Sequence, residues 1–215
     1  MTRIGLSANV RQQRFDSRWW WPTSTLSWLV AAFLIAVASA TVALLIFGVG
    51  ERGTAISLQI TARWSFFLFW LAYSGSALAR LFGNRFAELS RRSRDFGLAF
   101  ASAQLVHVGL VVWIIYLTPK SNGGMVFFWV GIFCTYLLAL LSLPQLHNAL
   151  GPRAWGALRT AAMEYIALAF AADFILLRLQ AIGSSKYALT YLPFALLLVG
   201  GAALRVAANV RRLHS

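Results

Sequence analysis

A chain of 215 residues that is 60% hydrophobic and 12% charged, with a mean hydropathy of +0.69, carries more apolar surface than a soluble domain of that length can bury. That excludes a soluble fold and identifies an integral membrane protein. The net charge of +13 would suit nucleic acid, but the placement of the basic residues, taken below, assigns it to topology instead.

Residues 1–25 carry Arg3, Arg11, Arg14 and Arg18 and precede an apolar run too long for the core of a cleaved signal peptide. No clear small-residue cleavage site follows, so a cytoplasmic segment and a retained signal anchor are expected. Trp19, Trp20 and Trp21 stand where an interfacial aromatic belt belongs. Six stretches are long enough for a hydrocarbon core of ~30 Å, which needs ~20 helical residues. They run over Leu26–Phe47, Trp64–Leu81, Phe96–Leu117, Met125–Leu143, Leu158–Leu177 and Tyr187–Arg205. The alternation of a membrane barrel is absent. The expected fold is therefore all-α, a bundle of six transmembrane helices over residues 26–205 with a cytoplasmic tail over 206–215.

In the first span Ala32, Ala36 and Ala40, and in the second "YSGSALA", place small residues at helical spacing, which lets helices approach closely. Between these spans "GVGERG", Gly48 to Gly53, matches the dinucleotide pattern GxGxxG. It follows a membrane span with no strand before it and no βαβ unit around it, so it is read as a connection. With no nucleotide fold, the chain cannot itself take a hydride from NADPH. The connection continuing into "ISLQITAR" and the basic segment between the second and third spans are the longest expected loops.

Of the 19 Lys and Arg residues, fourteen fall before the first span, between the second and third, between the fourth and fifth, and at or beyond the end of the sixth. Only Arg52, Arg63, Lys120, Arg178 and Lys186 fall on the other side. This positive-inside bias predicts cytoplasmic N and C termini. A weaker role for "RLFGNRFAELSRRSR" is attraction of anionic headgroups or an acidic partner.

The third span, "RDFGLAFASAQLVHVGLVVWIIYL", holds His107 near its middle. A titratable side chain at that depth is costly and marks a functional site by default. Gln104 shares its face at i, i+3, and Ala101 and Ala103 flank it. Two readings stand: a neutral histidine bonded to a neighbouring helix, and an axial ligand to haem. Cys134 is the only cysteine, which excludes an intramolecular disulfide, a CxxC pair and a cysteine-rich metal site.

The fifth span carries Arg159, Glu164, Asp173 and Arg178. At 100° per residue Glu164 and Asp173 point to opposite sides, and Arg159 with Glu164, like Asp173 with Arg178, is five residues apart and only loosely facing. Partners on other helices are expected, or else a proton or ion path with His107.

The basic 2–3 segment, then "RDFGLAFASAQLVH", then "LGPRAWGALRTAAMEYIAL" resemble the ferric reductase-like transmembrane domain superfamily over roughly Trp64 to Leu177. The resemblance implies b-type haem held across the bundle, with His107 at the position of the third-helix ligand. The chain departs from that pattern on the fifth helix. Where the family reads W-x-x-L-H, the residues here are Trp155, Gly156, Ala157, Leu158 and Arg159, and the further family histidine falls at Ala172 or Asp173. His147 and His214 belong to a loop and the tail.

At 1.5 Å per residue, His107 lies ~16 Å from the cytoplasmic end of its span, Asp173 ~22 Å and Met163 ~8 Å. The level of His107 on the fifth span falls near Ala169 and Phe170, which offer no ligand. The resemblance implies a haem-bearing electron-transfer subunit supplied by a separate redox or membrane partner protein, in a bacterial plasma membrane. The alternatives are a divergent non-haem scaffold or partner-binding subunit, and proton or ion translocation. Lipid is the expected surrounding and nucleic acid is not a partner.

Overall fold

The computed structural model describes residues 23–118, 125–143, 146, 151–176 and 185–213, and among these there are helices and no strands. The long helices are α1 (Thr23–Phe47), α2 (Glu51–Phe82), α4 (Ser93–Leu117), α5 (Met125–Leu141), α6 (Gly151–Phe174) and α7 (Ser185–Leu213). A 3₁₀ turn, Gly83–Phe86, and a short helix α3, Ala87–Arg91, join α2 to α4. Trp19, Trp20, Trp21, Lys120, His147, Arg178 and His214 lie outside the described residues.

Four helical stretches are long and apolar enough to cross a membrane: Ser24–Phe47, Glu51–Arg91, Ser93–Leu117 and Thr190–Arg211. Val126–Leu141 is apolar but shorter. Helix α6 has 24 residues and carries Arg153, Arg159, Glu164 and Asp173 within them. Thus four of the six expected spans meet the length and hydropathy of a crossing helix by themselves.

Two expected loops are helical. The second helix begins at Glu51, not Trp64, and its 32 residues extend ~48 Å. Its first turns look too polar for a membrane segment, yet their hydroxyls are satisfied locally: Thr54, Ser57 and Thr61 donate to Gly50 O, Gly53 O and Ser57 O at 2.9, 2.9 and 2.8 Å. With Ser65 they form a fully buried stripe of small side chains, the kind that lets helices pack closely. Only Gly48 to Gly50 separate α1 from α2, and Gly48 takes φ +84°, a conformation that favours glycine. The basic 2–3 segment is likewise helical, with Glu88 paired to Arg92 at 2.5 Å and Arg91 at 2.7 Å. The hydrogen bond from Arg92, and then the charge of Arg91, hold the exposed Glu88 carboxyl below the usual carboxylate range.

Helix α2 forms the centre of the bundle. Trp64 Nε1 donates to Ala32 O of α1 at 3.1 Å and Trp70 Nε1 to Leu197 O of α7 at 2.7 Å. Phe66 meets Phe170, Phe174 and Phe194 at centroid distances of 5.2, 5.0 and 5.9 Å in edge-on geometry, an arrangement favoured by ring quadrupoles. Thr25 Oγ1 donates to Asp95 Oδ1 at 2.8 Å, Arg94 Nη2 to Ser142 O at 2.6 Å and Arg211 Nη1 to Leu81 O at 3.2 Å. These bonds bring the starts of α1 and α4 and the ends of α2, α5 and α7 to one end of the bundle, the basic end.

Candidate functional site

His107 lines a cavity of about 540 Å³ between α2, α4, α5, α6 and α7. The volume is within the range of small-molecule and cofactor sites, ~300–1,000 Å³. Its walls are aromatic and aliphatic, with Phe100, Trp129, Phe170 and Phe174 among them, and its polar groups come from Glu51, Gln59, Gln104, His107, Asp173 and Tyr191.

The hydrogen bonds of His107 determine its tautomer. Nδ1 lies 3.1 Å from Thr61 Oγ1, whose single proton goes to a backbone carbonyl, Ser57 O at 2.8 Å or Leu58 O at 3.2 Å. With the hydroxyl proton on a carbonyl, its oxygen accepts from the ring, an assignment under which Nδ1 carries the proton. The ring also makes a hydrogen bond with the Leu58 backbone. A histidine with Nδ1–H anchored on a neighbouring helix is in the tautomer that Nε2-ligating histidines adopt.

Two further side chains, Gln104 on the cavity wall and Arg63 outside its lining, carry buried polar atoms with no hydrogen-bond partner among the described residues. Gln104 Oε1, one turn before His107 on the cavity wall, is buried without a hydrogen-bond partner. Arg63 Nε and Nη2 are likewise buried without partners, and its guanidinium lies 5.4 Å from the ring centroid of Tyr191 and 5.6 Å from that of Phe194. Buried polar atoms of this kind require an explanation, since each costs ~1–3 kcal/mol left unsatisfied.

Helix α6 starts at Gly151, seven residues before the expected Leu158, so depths counted from Leu158 do not describe it. Asp173 and His107 line the same cavity. Glu164 faces elsewhere: it accepts from Tyr73 Oη–H at 2.7 Å through Oε2 and pairs with Arg205 Nη2 at 2.9 Å through Oε1. Arg205 also lies over the Tyr73 ring, 4.3 Å from its centroid, and donates from Nη1 to Tyr73 O at 3.3 Å. This cluster ties α2, α6 and α7 together. Arg159 joins neither group and stands at the rim of a second cavity nearer the basic end, to which Met163 also belongs.

Sequence reasoning missed Thr61, Tyr73, Arg63 and Arg205 as partners. The hydroxyl stripe Thr54, Ser57, Thr61, Ser65 at three- and four-residue spacing was a usable signal, because it marks one helix face. Among the described residues no group of three or more His, Cys, Asp or Glu is placed to hold a bare metal ion. Comparison of the chain with family models, curated proteins and solved structures gives no match.

Proposed function

We propose that the chain is a haem-binding membrane subunit of the electron-transfer type that its sequence resembles, with His107 as axial ligand. The observation that carries this reading is the imidazole itself, bonded at Nδ1 to Thr61 on the wall of a cofactor-sized cavity. Across the cavity Asp173, Phe170, Phe174 and Tyr191 supply no imidazole or thioether, which leaves His107 as the one histidine among the described lining residues. Ligation by a single histidine, as for a proximal haem ligand, fits that donor set.

When bound, haem would supply a one-electron carrier inside the membrane. The chain's own residues do the rest. Thr61 holds the His107 tautomer, and Gln104 stands one turn away on the same wall. The flanking aromatics exclude water. Electrons must come from a separate protein. In this reading all six long helices cross a bacterial plasma membrane and the basic end faces the cytoplasm, in keeping with the bias of the basic residues.

A second reading is favoured by the Tyr73–Glu164–Arg205 cluster, which ties three helices with no cofactor: the bundle is then a non-haem scaffold that seats a partner protein. Titrating haem into the detergent-purified chain separates the two. A haem-binding subunit gains a Soret band and a raised Tm, and His107→Ala loses both while keeping its helical circular dichroism. A Tm indifferent to haem leaves the scaffold.

A further inference from the structure

The second cavity, of about 460 Å³, lies between the first halves of α4 and α6 and the second half of α5. It is polar at one end only. Ser93, Arg94, Ser142, Trp155 and Arg159 form its rim at the basic end, while Leu98, Phe100, Leu138, Met163 and Ile166 line the interior. From Ser93 to Phe100 the slot runs ~10 Å along α4, and from Trp155 to Ile166 ~16 Å along α6. Among the described residues no carboxylate lines it.

The rim is electropositive for two independent reasons. Arg94 spends Nη2 on Ser142 O, which leaves most of its five donors unspent, and no carboxylate among the described residues pairs with Arg159. Helix α4 also begins here, at Ser93, so the positive end of its dipole adds to the guanidinium charges. A free phosphate would satisfy the rim and leave the slot beneath it without an occupant. A neutral apolar guest would do the reverse.

We infer that this cavity seats one anionic phospholipid, its phosphate held between Arg94 and Arg159 and one acyl chain in the slot that ends at Phe100 and Ile166. The site is separate from the cavity of His107, although Phe100, Thr135 and Ile166 border both, and the inference does not depend on haem.

The test uses the full chain, reconstituted in phosphatidylcholine vesicles with and without phosphatidylglycerol, extracted in mild detergent and examined by native mass spectrometry for retained lipid. Phosphatidylglycerol should be retained singly and in preference to phosphatidylcholine. Arg159→Gln should lower that retention about fivefold, the effect of one basic residue at an anionic headgroup. Ala139→Phe, which fills the slot without touching its charges, should abolish retention. Arg85→Gln, on the exposed connecting turn, should leave it unchanged. If Ala139→Phe does not insert, the comparison of Arg159→Gln with Arg85→Gln decides alone. Equal retention of both lipids, equal effects of the two arginine substitutions, retention unaffected by a filled slot, or displacement of the lipid by inorganic phosphate would each overturn the assignment.

Discussion

A histidine among apolar residues was conspicuous in the sequence because nothing else near it titrates, but what makes it a candidate ligand was not legible there. Its state depends on Thr61, forty-six positions away, and a threonine inside a helix ordinarily satisfies itself on its own backbone. Thr61→Val removes the acceptor of Nδ1–H and frees the tautomer. Haem affinity should fall ~10–100-fold, the usual cost of losing such an orienting partner, as read by haem titration against the intact protein. Glu164 was visible as an expensive acid, and its partners were not, since neither Tyr73 nor Arg205 is marked by spacing. Glu164→Gln keeps the shape and loses the charge opposite Arg205, so thermal denaturation in detergent should show a loss of ~1 kcal/mol, the order found for polar contacts between membrane helices. Haem binding should be unaffected, because the cluster lies apart from the cavity of His107.

Helices were legible where hydropathy is high and illegible where polarity is absorbed internally. The first and third spans run close to the expected bounds as α1 and α4, whereas α2 begins well before Trp64 because buried hydroxyls, not apolar side chains, make its first face. Of the "GVGERG" segment only Gly48 to Gly50 is a connection, Glu51 to Gly53 being the first turn of α2, and the glycine at 53 has a steric reason. A Cβ on Gly53 would lie 1.7 Å from Gly48 O, so the turn between α1 and α2 closes only around glycine. Gly53→Ala should therefore cost ~1–3 kcal/mol through overpacking, while Gly50→Ala, with open space at its Cβ, should cost far less. Equal Tm values for the two variants would contradict this account of the turn. Helix α6 was the hardest to judge because its charged residues lower its hydropathy and one of them, Glu164, is neutralised only by the contacts of the folded bundle.

Composition and the lengths of the apolar runs sufficed to expect the helices that make up the described residues, four of them long and apolar enough to cross a membrane. The distribution of basic residues adds a direction, which the bundle expresses as one end where Arg80, Arg91, Arg94, Arg153 and Arg211 collect. Reporter fusions after Ser215 and within residues 121–124 should report opposite sides of the membrane, the first cytoplasmic; two signals from one side would remove the proposed six-span topology. Cofactor chemistry was the part that the sequence left open, because the resemblance assigns one ligand position to His107 while its other positions fall at Arg159 and at Ala172 or Asp173. In the proposed reading His107 would be the one residue that holds haem, so an added ligand such as imidazole would also be able to bind. The decisive observation is the visible spectrum of the chain purified in detergent after expression with haem supplied, recorded oxidised, reduced with dithionite, and again with added imidazole. The account predicts a Soret band that shifts on reduction and shifts further with imidazole, and that is absent from His107→Ala; a chain that carries no Soret band, or one that His107→Ala leaves unchanged, would contradict it.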